Sequence, residues 1–208
     1  VSRSAPNTAP PVVALLLAAG RGVRFGSALP KLLADLDGRP LVRRAAESAL
    51  ASRASRVVVV TGHARDEIEA ALAGLPLSVA HNAAYASGLA ASLRAGIAAA
   101  ADACAVVVLL ADMPGVSAAT IDALIAAFET APDAPAVVPT HEGRRGNPVL
   151  LARRLFPRLL ALEGDAGARK LLEKLDGVVE IAVEDDQILA DVDTPADLAR
   201  LRVALRRS

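Results

Sequence analysis

Three short runs in this chain leave almost no polar position for a solvent-facing side: residues 12–17 (VVALLL), the four valines of 56–60 and residues 105–110 (AVVVLL). A strand with one face in water alternates apolar and polar residues. A strand without that alternation has both faces covered. The cover has to come from helices, and segments of helical period separate the runs. This order implies an α/β fold, a three-layer α/β/α arrangement around a mostly parallel central sheet.

Taken in order, the pattern predicts a strand over 12–17, a glycine-rich loop, and a turn at Asp37-Gly38. A helix follows with Pro40 in its first turn, running to about Ala51. Further strands are expected at 56–60, 77–80, 105–110, 136–140, 149–151 and 178–183. Helices are expected over 64–73, 88–101, 117–130, 155–162 and 166–175, with a last one from Pro195. Residues 188–190 form one more short apolar segment. At Thr194-Pro195 the residue types suit a helix start, with Asp197 three positions after the cap. No repeat or linker interrupts residues 11–208, which read as one domain. Residues 1–10 read as a disordered lead-in.

The chain has 208 residues, 53% of them apolar and 2% aromatic, so alanine, leucine and valine must fill the core. Formal net charge is zero, which argues against a general nucleic-acid or membrane-surface role. No apolar run approaches the ~20 residues of a membrane span. A cytoplasmic protein is the expectation. The single cysteine, Cys104, cannot form an internal disulfide and is expected as a buried structural thiol.

In a parallel α/β sheet, ligands bind beyond the carboxyl ends of the strands. After the first strand comes AAGRGVRFGSALPK, with Gly20, Gly22 and Gly26 interleaved with Arg21 and Arg24 and followed by Lys31. Glycines let backbone N–H groups approach an anion, and the cations neutralise it. The spacing is neither a Walker A motif nor a Rossmann fingerprint, and an ordinary strand-to-helix connection remains open. Asp112 stands directly beyond the most apolar run, where Pro114-Gly115 turns the chain away. A turn aspartate is the plain alternative. Helix-start chemistry accounts for Thr194, Pro195 and Asp197 but not for Asp191 and Asp193. Magnesium is commonly held by one or two carboxylates, with phosphates and water completing the shell, and Asp112 with one member of this pair would meet that need. His63 and His81 read as surface histidines, and Arg43, Arg44, Arg200, Arg202, Arg206 and Arg207 as solvated helix faces. Arg144-Arg145, flanked by glycines, suits either a phosphorylated ligand or a plain surface loop.

Six segments then carry a family resemblance: LAAGRGVRFGSALPKLL, HNAAYASGLAASLRAGI, LLADMPGVS, GRRGNPVLL, GDAGARKLL and DVDTPADL. In this order the chain resembles the molybdenum cofactor cytidylyltransferase family, within the nucleotidyltransferase superfamily of glycosyltransferase-A-like, Rossmann-like folds. The resemblance implies transfer of CMP from CTP to the terminal phosphate of molybdopterin carrying molybdenum, with release of pyrophosphate and with Mg²⁺ required. A molybdenum hydroxylase or dehydrogenase would receive the product.

The resemblance implies nucleotide contacts at Ala18, Ala19, Gly20, Arg21, Gly22 and Lys31, with Arg21, Lys31 and Asp112 catalytic. It places metal on Asp112 and Asp193, with Asp191 as substitute, and base and ribose contacts at Asn82, Gly88 and Ser92. Acceptor contacts would come from Arg144, Gly146, Asn147, Asp165 and Arg169. Many relatives have histidine where this chain has Asn147, which leaves that position's role open. The alanine at position 19 favours cytidine over guanosine, since guanylyl relatives tend to carry glycine there. Two alternatives stay open: a transferase using GTP or another phosphorylated acceptor, and a non-catalytic nucleotide- or cofactor-binding maturation factor.

Overall fold

A computed structural model describes residues 11–22, 25–26, 29–165 and 167–206. The lead-in over 1–10, Arg24 and Arg207 lie outside the described residues. The chain begins with β1 (Val12–Ala18), then a 3₁₀ turn at Lys31–Leu33 and a hairpin of β2 (Asp35–Leu36) and β3 (Arg39–Pro40) leading into α1 (Leu41–Leu50). Next come β4 (Arg56–Thr61), α2 (Arg65–Ala71), β5 (Ser78–His81), α3 (Leu89–Ala99), β6 (Ala105–Leu110) and α4 (Ala118–Thr130). The remainder is β7 (Ala136–His141), β8 (Arg144–Arg145), β9 (Val149–Ala152), α5 (Phe156–Leu160), α6 (Ala168–Leu172), β10 (Val179–Ala182) and α7 (Pro195–Leu205).

The main sheet runs β10-β7-β9-β6-β1-β4-β5, with β8 added on β7. The most apolar strands take the centre: β1 lies parallel to both β4 and β6. β9 runs against β6 and β7, so the sheet is mostly rather than wholly parallel. Side chains of β1 alternate between two cores although all are apolar. Ala14, Leu16 and Ala18 meet α1, α2 and α4 through Val42, Ile68 and Ile121. Val13, Leu15 and Leu17 meet α3, α5 and α6 through Leu93, Leu159 and Leu172. A third, smaller core joins Phe25, Leu36 and Leu41 to Val192 and Leu201, docking α7 under the glycine loop.

Gly96 shows how tightly the second core is built. A Cβ there would lie 2.3–2.9 Å from three atoms of the fully buried Leu15 side chain. Overpacking costs about 1–3 kcal/mol and alanine regains about 1 kcal/mol of helix propensity, so Gly96→Ala should destabilise by about 1 kcal/mol. Chemical denaturation measures it. Adding Leu15→Ala, which opens the space, should give a non-additive double mutant.

Several expectations need correction. Pro40 ends β3 and caps α1 rather than lying inside the helix. The short apolar segment at 188–190 is the end of a 3₁₀ turn at Asp186–Leu189 and its cap. The final short helix before β10 covers only Ala168–Leu172. The charged 141–148 segment is a hairpin, with Glu142 and Gly143 at φ 49° and 73° letting β8 fold back on β7. The arginines are not simply solvated. Arg43 donates to the carbonyls of Ala71 and Ala73 at the end of α2, and Arg202 and Arg206 both face Asp37, fixing α7 to the β2–β3 turn. Cys104 is half-buried at the start of β6, where burial pushes its thiol pKa up.

Candidate active site

The glycine loop leaves the carboxyl end of β1, the position the sheet gives to its ligands. Ala18 and Ala19 are buried, while Gly20 and Arg21 are exposed. Gly22 has φ +58°, and a Cβ on it would sit 2.7 Å from the Lys31 Cβ. Glycine is therefore required both for the backbone angle and for the close approach to the lysine. Phe25 anchors the far side of the loop in the third core against Val192 and Leu201. Sequence reasoning passed over Phe25, whose signal is its standing as the one aromatic side chain within a glycine-rich loop.

Three charged groups meet at the base of this loop. The Lys31 ammonium donates to Asp112 Oδ2 at 2.8 Å and to Asp193 Oδ1 at 2.9 Å. The main chain sets the two carboxylates side by side. Ala111 N–H bonds to the Leu17 carbonyl at 3.1 Å, and Val192 N–H to the Asp112 carbonyl at 2.8 Å. Val192 is buried, so the extended Asp191-Val-Asp193 segment turns its valine inward and both carboxylates outward. The Asp197 carboxylate accepts from the Asp193 and Thr194 backbone N–H groups, and the Thr194 hydroxyl closes the capping box that starts α7. That hydroxyl is the main reason the Asp197 carboxyl is held below the usual carboxylate range.

Lys31 is 9% exposed in its side chain, against 26% and 22% for Asp112 and Asp193. Burial by itself pulls the ammonium's pKa down. Asp112, with a smaller contribution from Asp193, more than offsets this, and the net shift is upward from 10.5. A raised lysine pKa stabilises the fold fully below the lysine's ordinary value, and that contribution is lost as pH rises through the raised one. Two carboxylate oxygens converging on one small cationic group fit a hard divalent cation, and Asp112 and Asp193 are the residues that would hold it. Asp193, not Asp191, shares Lys31 with Asp112.

Beside this cluster lies a cavity of about 660 Å³. Its walls are apolar, with Leu17, Leu89, Leu93, Leu110, Met113 and Leu172 among them. Its polar lining includes Arg144, Arg145, Asn147, Arg169, Glu173 and Asp191. Four of the five expected acceptor residues, Arg144, Gly146, Asn147 and Arg169, are thus brought to one cavity. Met113 and Asp191 carry its lining to the neighbours of the carboxylate pair. Arg145 is also tied to Glu180 on β10 at 2.8 Å. Gly146 is pressed against the 3₁₀ turn at Asp186–Leu189, where a Cβ would lie 2.4 Å from the Ile188 carbonyl oxygen. Asp165 is not among the residues lining the cavity; its Oδ1 lies 2.7 Å from where a Gly88 Cβ would be.

On the β4–β5 side, Asn82 and Ser92 are buried and engaged with each other. The Asn82 amide donates to Ser92 Oγ at 3.0 Å, and its carbonyl accepts from Ala84 N–H at 3.0 Å. They brace the 82–92 segment rather than standing open. Gly62 fits between Ala19 and Tyr85, where a Cβ would be 2.8 and 2.6 Å from their Cβ atoms. His63 donates its backbone N–H to the Ala19 carbonyl and its ring lies 5.9 Å from that of Tyr85, so it precedes α2 instead of starting it. His81 ends β5, exposed.

Residues 14–178 match the model of the MobA-like NTP transferase domain. Over 204 residues the chain is 36% identical to Nicotine blue oxidoreductase of Paenarthrobacter nicotinovorans, covering 92% of this chain and 97% of that protein. Among solved structures, Rv0371c from Mycobacterium tuberculosis H37Rv superposes with a TM-score of 0.82 at 30% identity, covering 94% of this chain and 100% of that one. Its complex with manganese superposes at 0.77 and 26% identity, covering 93% and 99%. Molybdopterin-guanine dinucleotide biosynthesis protein A from Archaeoglobus fulgidus, at 22% identity, 0.72, and coverage of 95% and 100%, shares the fold. Among the described residues no helix is long and apolar enough to cross a membrane. With more than half its length matched by the family model, and a loop, lysine and carboxylate pair at the carboxyl ends of its central strands, the chain belongs to the MobA-like NTP transferase family, an α/β nucleotidyltransferase by fold.

Proposed function

We propose that the chain, as a single nucleotidyltransferase domain over 11–208, transfers CMP from CTP to the terminal phosphate of molybdenum-bearing molybdopterin and releases pyrophosphate. The observation that carries this reading is the convergence of Asp112 and Asp193 on one cation position directly under the glycine loop. Mg²⁺ held there would supply charge neutralisation of the triphosphate and polarisation of its α-phosphate. The protein's own part is alignment and electrostatics. Backbone N–H groups of Ala19–Gly22 and the Arg21 guanidinium hold the triphosphate, and Lys31 stabilises charge on the departing pyrophosphate. An acceptor phosphate oxygen attacks the α-phosphorus, a new P–O bond forms, and the bond to the β-phosphate oxygen breaks. The attacking oxygen is already anionic near neutral pH, so no side chain has to remove a proton.

The apolar cavity with Arg144 and Arg169 at its polar side suits a largely flat acceptor ending in a phosphate, since a guanidinium binds phosphate bidentately. Ala19 favours cytidine, and Asn82, Gly88 and Ser92 support the base side through the segment they brace. A molybdenum hydroxylase or dehydrogenase would take up the product. The name of the Paenarthrobacter relative raises an oxidoreductase reading. Cys104, the one cysteine, lies at the opposite end of β6 from Asp112 and takes no part in the site.

Pyrophosphate release tests the proposal, measured with each of the four NTPs and Mg²⁺, with and without molybdenum-loaded molybdopterin. Release only with CTP and that acceptor is expected. Release with GTP, or with another phosphorylated acceptor, replaces the cytidylyl assignment. Nucleotide binding without release under any condition replaces the enzyme with a maturation factor, and turnover of nicotine blue would favour the oxidoreductase.

A further inference from the structure

The proposed chemistry asks two things of the same three side chains. Asp112 and Asp193 are to hold a divalent cation, and Lys31 is to face triphosphate oxygens. In the structure, however, the Lys31 ammonium bonds to both carboxylates, at 2.8 and 2.9 Å. An ammonium and a divalent cation cannot both occupy the position between those two oxygens, because like charges at that separation repel strongly. We propose that Lys31 is the resident counter-ion of the metal site: its ammonium occupies the cation position in the free protein and withdraws to the phosphates when nucleotide and metal arrive. This rests on the two-carboxylate metal site of the reading above.

The surroundings suit such an exchange. Lys31 sits on a single 3₁₀ turn rather than inside a long helix, and Gly22 lies against its Cβ, which covers the stem and leaves a change of partner to the ammonium end. Without the lysine the two carboxylates would face each other with repulsion unrelieved by it. With the lysine, a free divalent cation must displace a positive charge before it can bind. A metal already bound to a triphosphate arrives with anionic oxygens that give the ammonium somewhere to go. Nucleotide and metal therefore bind with positive coupling, and the coupling is reciprocal. The free protein is accordingly a poor binder of divalent cations and is protected from collecting metal in the absence of substrate.

Direct Mn²⁺ binding without nucleotide tests this, read from the loss of the aqueous Mn²⁺ electron paramagnetic resonance signal. Lys31→Met should bind Mn²⁺ at least about tenfold more tightly than the natural chain, since one adjacent positive charge is removed. Lys31→Met combined with Asp112→Asn should lose that gain. Equal or weaker Mn²⁺ binding by Lys31→Met overturns the proposal. A second measurement uses the unaltered protein. The chain has three lysines, Lys31, Lys170 and Lys174, and the latter two are exposed, so only the Lys31 ammonium is sheltered. Its ¹⁵N resonance should stay unmoved by millimolar Mg²⁺ alone and shift when a non-hydrolysable CTP analogue is added with Mg²⁺. A resonance indifferent to the pair overturns the exchange. Strong lysine-independent Mn²⁺ binding together with pyrophosphate release removes this inference and leaves the transferase. Lysine-limited Mn²⁺ binding with no NTP consumed removes the transferase and leaves the counter-ion role.

Discussion

Asp112→Ala should lose nucleotidyl transfer by about 10³-fold or more while leaving the fold intact. The magnitude follows from what preorganised charge contributes at a reacting phosphate: a single donor lost from such a site typically costs ~3 kcal/mol, and Asp112 is expected to carry both a metal contact and the lysine's position. The fold survives because the segment is held by its main chain. Ala111 N–H to Leu17 and the Asp112 carbonyl to Val192 N–H do not involve the carboxylate, and Asp193 still faces Lys31. Pyrophosphate release and a thermal melt on the same preparation separate the two effects. Full transfer at unchanged metal dependence would sink the assignment of Asp112. Asp112→Asn is the sharper companion, since it keeps volume and hydrogen bonding and removes only the charge.

Much of this architecture was open to reading because β1, β4 and β6 have no polar face. Such strands can only be central, and the residues just beyond them are then at the ligand rim; Asp112 and the loop after Ala18 follow from that alone. Two features followed different physics. The direction of β9 is not encoded in its apolar pattern, although the seven residues 142–148 that separate β7 from β9 are too few for a parallel crossover, which takes a dozen or more. The meeting of Lys31 with Asp112 and Asp193 spans separations of 81 and 162 residues. No local rule connects these positions; only the backbone bonds from β6 to Val192 and the docking of α7 through Leu201 do. The contacts of Arg202 and Arg206 escape the sequence for the same reason, because Asp37 is distant in sequence and adjacent in the fold.

Gly88→Ala should be the most damaging of the glycine substitutions in reach of the site, with a loss of about 3 kcal/mol or more. Gly88 precedes α3 at φ 104° and ψ 179°, a region open essentially to glycine alone. A Cβ there would lie 2.4 Å from the carbonyl carbon and oxygen of Gly164, backbone atoms that cannot rotate away as a flexible side chain does. The same contact is a clasp. Ala90 N–H donates to the Gly164 carbonyl at 3.1 Å, and Arg94 donates to that of Leu162, tying the first two turns of α3 to the segment before α6. Leu89 and Gly167, on either side of the clasp, both line the cavity. Pushing the two segments apart should therefore widen the acceptor side, raising KM for the acceptor more than KM for the nucleotide at temperatures where the variant remains folded. Gly164→Ala is the matched control: it has φ +60° but no atom within 4 Å of its added Cβ, so it carries the backbone cost of about 1–2 kcal/mol without the clash. Denaturation midpoints of the two variants decide the point. Equal stability would mean the clasp yields at little cost, and a rise confined to the nucleotide KM would assign Gly88 to the base side instead.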